Sequence, residues 1–253
     1  MTSGKGGVGK TVVAANLAAA LAKRGRRVLV LDADLGLANL DIILNPYPKA
    51  TLHDVLMGKS TLEEIVLKAP GGFSVLPAAS GLVEYSRLTG DVQNELRQII
   101  DKLSRQYDYL LLDTGAGISD IVLYTASLAE EVLVIATPEP TAPADAHATI
   151  KVLALMQKRT SIHLVFNQVR NAAEGRKLAE QLRLVVDRFV NTQPGITVKL
   201  EYMGEIPSDP AGSDTIRKRQ LLFVGMPDAP ASRALAALAA ALDAPEKSRA
   251  VHA

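Results

Sequence analysis

Gly4-Lys5-Gly6-Gly7-Val8-Gly9-Lys10-Thr11 reads as a phosphate-binding loop with a lysine at each end. Its glycines let the backbone turn tightly and bring N–H groups up to phosphate oxygens, and the helix that follows adds its positive N-terminal end. Lys10 can reach the β- and γ-phosphates, and the Thr11 hydroxyl can bind the Mg²⁺ that bridges them. A glycine-rich turn ahead of a surface helix is the competing reading. Lys5 argues against it, because a flexible ammonium inside a tight loop has little structural use and an obvious use beside a triphosphate. The expected nucleotide cradle is therefore Gly4, Lys5, Gly6, Gly7, Val8, Gly9, Lys10, Thr11 and Val12.

Working outward, short apolar runs alternate with helical patterns, as in a parallel sheet covered by helices. Thr11 to Lys23 is alanine-rich and helix-prone, with Gly25 where a left-handed stop is needed. Strands are predicted at Val28–Leu31, Phe73–Leu76, Tyr109–Leu112, Val132–Ala136, Ile162–Phe166 and Val198–Tyr202. Further helices are predicted at Val92–Arg105, Ser119–Leu128, Ala142–Met156, Ala173–Phe189 and Ser232–Leu242. The expected fold is α/β, a mostly parallel sheet with helices on both faces. One domain over residues 1–245 and a flexible tail over 246–253 complete it.

Composition agrees. A chain of 253 residues with 48 % hydrophobic residues fills a sizeable single core. The net charge of +1 provides no whole-molecule field toward DNA or anionic lipid. Cysteine is absent, which excludes structural disulfides and thiolate-held iron–sulfur clusters. With no signal peptide or long apolar span, the sequence points to the cytosol.

Acidic residues fall at strand ends, where α/β sheets place ligand chemistry. Asp113 closes the run Tyr109–Leu112 and is the natural carboxylate for Mg²⁺; Ser119 is better placed than Asp113 to cap the next helix. Asp32 and Asp34 end the strand Val28–Leu31, with a solvated loop as the alternative. Asn167 follows the run Ile162–Phe166, and its amide can donate and accept at once, which suits an adenine edge. His53, His147, His163 and His252 show no metal-ligand spacing. Arg217-Lys218-Arg219 reads as a solvated helix face, so DNA is not an expected partner.

The two-lysine loop resembles the deviant Walker A motif of the MinD/ParA family of dimeric ATPases. The resemblance continues through L-D-A-D-L-G-L-A-N-L-D (31–41), L-L-L-D-T-G-A-G-I-S (110–119), V-F-N-Q-V-R (165–170) and M-G-E-I-P-S-D (203–209). It covers about residues 1–225. Pro77 to Gly81, Glu174 to Leu178 and Asp187 to Phe189 resemble the FlhG/FleN branch of flagellar-number regulators. By that resemblance Lys5 acts in trans across an ATP-bound homodimer, Lys10 in cis, and Asp34 positions the attacking water. Asp32 lies near the metal shell with Thr11 and Asp113, Pro207 lies against the base beside Asn167, and Gly115 to Ile118 form a second switch.

The implied partners are a flagellar signal-recognition-type GTPase and a flagellar transcription activator. A DNA-partition ATPase and a dethiobiotin-synthetase-like enzyme are the rivals. Family members end in a basic amphipathic helix, whereas here only Leu235, Leu238 and Leu242 form a stripe among alanines. That helix is expected to pack on its own domain, leaving weak autonomous membrane binding, with any inner-membrane or polar association peripheral. Only Met1, Thr2 and Ser3 precede the loop. A strand normally runs straight into such a loop, so the natural product is expected to carry one upstream of residue 1.

Overall fold

The computed structural model describes residues 1–33, 48, 50–77 and 89–244. In chain order the elements are α1 (Lys10–Lys23), β1 (Val28–Ala33), α2 (Leu52–Leu56), α3 (Leu62–Ile65), β2 (Leu67–Lys68), β3 (Ser74–Leu76), α4 (Gly90–Ser104) and β4 (Tyr109–Thr114). There follow α5 (Asp120–Ser127), β5 (Leu133–Ala136), α6 (Ala142–Gln157), β6 (Ser161–Val169), α7 (Ala172–Phe189), β7 (Lys199–Pro207), α8 (Pro210–Arg217), α9 (Leu222–Gly225) and α10 (Pro230–Leu242).

The strands form two ladders, β2-β3-β1-β4 and β5-β6-β7, parallel except for the antiparallel edge strand β2. Met1 to Ser3 join them. The Thr2 N–H donates to the Leu133 carbonyl at 2.9 Å and the Thr2 carbonyl accepts from Ile135 at 2.9 Å, while the Met1 carbonyl accepts from Thr114 at 3.2 Å. These residues thus occupy the strand place directly ahead of the phosphate loop.

Side-chain alternation along the strands splits the core into two layers. Val28 and Val30 of β1 face α1 and α10, with Ile135, Val165 and Ile206 from the other ladder. Leu29 and Leu31 face the opposite way, toward Leu96, Ile100 and Leu103 of α4. On that same side Val134, Leu164 and Phe166 pack under α6 and α7. Helix α1 is buried around nearly its whole circumference, which its run of alanines permits by letting sheet and α10 approach closely.

Strands β6 and β7 run on past the predicted ends, β6 through Asn167 and Gln168 and β7 through Gly204, Glu205 and Pro207, which break the apolar run. Helices α2 and α3 are announced by capping boxes: the N–H groups of Thr51 and Thr61 donate to the Asp54 and Glu64 carboxylates at 2.9 and 2.8 Å. Gly25 does take a left-handed φ of 85° after α1. The expected tail at 246–253 lies outside the described residues.

Helix α10 buries Leu235, Leu238 and Leu242 against the domain. Its end is fastened by Asp243, whose carboxylate accepts from Arg26 at 2.6 Å, Arg24 at 3.0 Å and the Tyr109 hydroxyl at 3.1 Å. The Arg26 hydrogen bond foremost holds this carboxyl below its ordinary value. A depressed folded pKa gives stability that is present above the unfolded value and lost as pH falls through the folded one. Both arginines are partly exposed, so the effect is small. Hydrogen-exchange protection across α10 is expected to drop up to about fivefold in Asp243→Asn at neutral pH. The wild type should lose the same protection only on acidification below the ordinary carboxylate range; equal protection in both proteins at pH 7 would refute the clamp.

Candidate functional site

The loop begins where Ser3 leaves the sheet. The Ser3 hydroxyl donates to the Lys5 carbonyl at 2.8 Å, fixing the first turn. Gly4 is pressed against the first turn of α6: a Cβ there would lie 2.2 Å from the Asp145 carbonyl oxygen. At the far end Gly9 is left-handed at φ 86°, and Val8 is buried as a plug into the core. The Val8 carbonyl accepts from the Asn167 side-chain amide at 2.8 Å, which ties the loop to β6.

Above the C-terminal ends of the parallel strands lies a cavity of about 860 Å³. Its floor is Gly6, Gly7, Gly9, Lys10, Thr11 and Val12. One wall is Thr114, Gly115 and Ala116 after β4; the opposite wall is Asn167 and Gln168 of β6, with Pro207 to Asp209 leading into α8. This is where an α/β sheet binds ligands, with the α1 N-terminus directed at an anion. The volume suits a nucleotide.

The two lysines of the loop go to different places. Lys10 is buried and lines the cavity. Lys5 does not line it: its ammonium pairs with the Glu139 carboxylate in the β5–α6 connection and lies 3.5 Å from the Thr141 hydroxyl.

Asp32 and Asp113 are register partners on adjacent strands, both 2 % exposed. They lie just beneath the wall, since Ala33 and Thr114, one residue on, line the cavity. Burial pushes the Met1 ammonium, which donates to the Leu112 carbonyl at 2.6 Å, down to about 6, while Asp113 opposes that shift and Lys10 adds to it. No group of three or more acidic or histidine ligands gathers among the described residues. The donor set nevertheless suits Mg²⁺, which takes one or two protein oxygens and leaves its other positions to phosphate and water. Thr11 and Asp113 would hold it, with Asp32 beside Asp113 on the adjacent strand.

Asn167 faces the cavity with both ends of its amide engaged. Besides the bond to Val8, its oxygen accepts from the Gln168 N–H at 3.0 Å, which leaves one proton and one lone pair for a base. Gln168 adopts a left-handed φ of 62° at an irregularity in the β6–β7 register and reaches the cavity. Sequence reasoning missed it, since nothing in V-F-N-Q-V-R marks a bulge. Glu139 was missed as well, though its setting between Pro138 and Pro140 marks a stiff, presented turn.

Of the expected switches, Gly115 and Ala116 line the cavity, and the Gly117 N–H donates to the Ser3 carbonyl at 2.8 Å. Asp34 lies outside the described residues, as do Ala78 to Gly81 and His252. Arg217 pairs with Asp214 at the end of α8. His163 is enclosed between Glu131 and Glu201 at 3.4 and 3.6 Å, in the sheet rather than at the cavity.

A family described as an AAA domain matches residues 1–166. The chain is 41 % identical over 243 residues to the antiactivator FleN of Pseudomonas aeruginosa, covering 96 % of this chain and 85 % of that protein. It is 34 % identical to the flagellum site-determining protein YlxH of Helicobacter pylori, over 88 % of this chain and 73 % of that one. Among solved structures, the septum site-determining protein MinD from Pyrococcus horikoshii OT3, complexed with Mg-ADP, superposes with a TM-score of 0.77. It shares 26 % identity with this chain and covers 96 % of it and 93 % of its own length.

Proposed function

This chain belongs to the MinD/ParA family of P-loop ATPases and hydrolyses ATP with Mg²⁺, and from that premise we propose that it is a dimerising switch that sets flagellar number and placement. The observation that carries this reading is the divergence of the two loop lysines. Lys10 lines its own cavity, whereas Lys5 lies outside it on an exposed pair with Glu139, from which its stem could swing to a facing copy. In an ATP-bound homodimer each Lys5 would complete the partner's site. The loop N–H groups and Lys10 hold the phosphates, Thr11 and Asp113 hold the metal, and Asp34 orients the attacking water. Asn167 and Pro207 flank the base. Loss of the γ-phosphate would be felt at Gly115 to Ile118, and the Gly117–Ser3 bond passes that change to the loop that carries Lys5.

Partners would then read the dimer state. The likeness to an antiactivator supports a flagellar transcription activator as one of them, and a flagellar signal-recognition-type GTPase is the second partner of this reading. No helix among the described residues is long and apolar enough to cross a membrane. The apolar stripe of α10 is spent on the domain, which supports weak autonomous lipid binding and work in the cytoplasm. The net charge of +1 and the pairing of Arg217 speak against DNA.

Lys5→Ala tests the reading. It is expected to bind ATP as a monomer as tightly as wild type and to lose ATP-dependent dimerisation in light scattering. An undiminished dimer would exclude the trans role.

A further inference from the structure

We infer that Glu139 is a positioning residue for Lys5: it holds the ammonium on its own subunit and thereby sets the threshold at which ATP-bound copies pair. The inference rests on the dimer reading above and deepens it. The geometry is built rather than incidental. Glu139 sits between Pro138 and Pro140, whose rings fix φ, and its carbonyl accepts from the Ala142 N–H at 3.0 Å, so the turn is stiff. Gly4 is packed against the backbone of Asp145, which pins the loop to the same first turn of α6. Both ends of the pair are therefore anchored, and Lys5 reaches Glu139 and Thr141 without moving the loop.

For Lys5 to cross to a partner's nucleotide, only its four-carbon stem must swing, and one carboxylate must yield to a polyphosphate of higher charge. The Glu139 side chain is 57 % exposed and that of Lys5 26 %, so the pair is solvated and weak. It therefore tunes pairing and does not block it. An exposed pair is worth up to about a fivefold change in an equilibrium. A two-fold dimer must release two of them, so the factor enters squared, up to about 25-fold.

The test uses the whole chain with a non-hydrolysable ATP analogue, reading the dimer dissociation constant by sedimentation or light scattering. Glu139→Gln keeps the side chain's size and removes its charge. It is expected to lower that constant by at least about twofold and up to about 25-fold, with monomer affinity for ADP unchanged. Raising salt from ~0.05 to ~0.5 M should bring the wild-type and variant constants together, because exposed charges are screened. In a Lys5→Ala background Glu139→Gln should change nothing. A wild type that never dimerises sinks the switch reading itself. A wild type that dimerises beside a Glu139→Gln variant that pairs equally or less well overturns this inference alone.

Discussion

Replacing Lys10 with alanine is expected to cut affinity for both ATP and ADP by roughly 10- to 150-fold, the largest single-residue effect at the site. Lys10 is buried at the first position of α1, on the floor of the cavity, where its ammonium would meet phosphate with little competing water. A charge-assisted hydrogen bond there contributes about 1.5–3 kcal/mol. Truncation removes that contribution and the positive charge on the cavity floor with it. The backbone N–H groups and the α1 dipole remain, so residual weak binding is allowed. Calorimetry with ADP isolates the effect from hydrolysis and dimerisation. An affinity within tenfold of wild type would mean that the phosphates do not lie against Lys10.

How much of this could be read from the chain depends on distance along it. The loop was legible because its chemistry is local: glycines, lysine and threonine occur within eight consecutive residues. Asp113 was legible because an apolar run ending in an acid marks a strand end, and β4 ends one residue beyond it. The contacts that organise the site are not local. The Asn167 amide bonds a carbonyl 159 residues away, and Lys5 meets Glu139 at a separation of 134, so no period or motif could announce either. Asp32 and Asp113 become neighbours only once β1 and β4 are paired in register. The same reasoning explains why β6 was read three residues short at its end: Asn167 and Gln168 serve the cavity and break the apolar run.

The loop glycines supply the second large effect, and they are not equivalent. A Cβ added at Gly4 would lie 2.2 Å from the Asp145 carbonyl oxygen and 2.3 Å from its carbon. Those are backbone atoms in the first turn of α6, so no side chain can rotate aside, and either the loop or the helix must shift. Overpacking of this kind costs about 1–3 kcal/mol or more, and at this chain length each kcal/mol lowers Tm by ~2–4 °C. Gly4→Ala is therefore expected to melt ~2–12 °C below wild type without nucleotide, and to lose ATP affinity because the displaced loop no longer aims its N–H groups at the phosphates. Gly6 provides the control. Nothing lies within 4 Å of a Cβ built there and its φ is not in the left-handed region, so Gly6→Ala should melt within ~2 °C of wild type. Equal melting of all three proteins would show that the loop start is not packed on α6. The anchoring of Lys5 beside Glu139 depends on that packing, so the same result would remove its geometric basis.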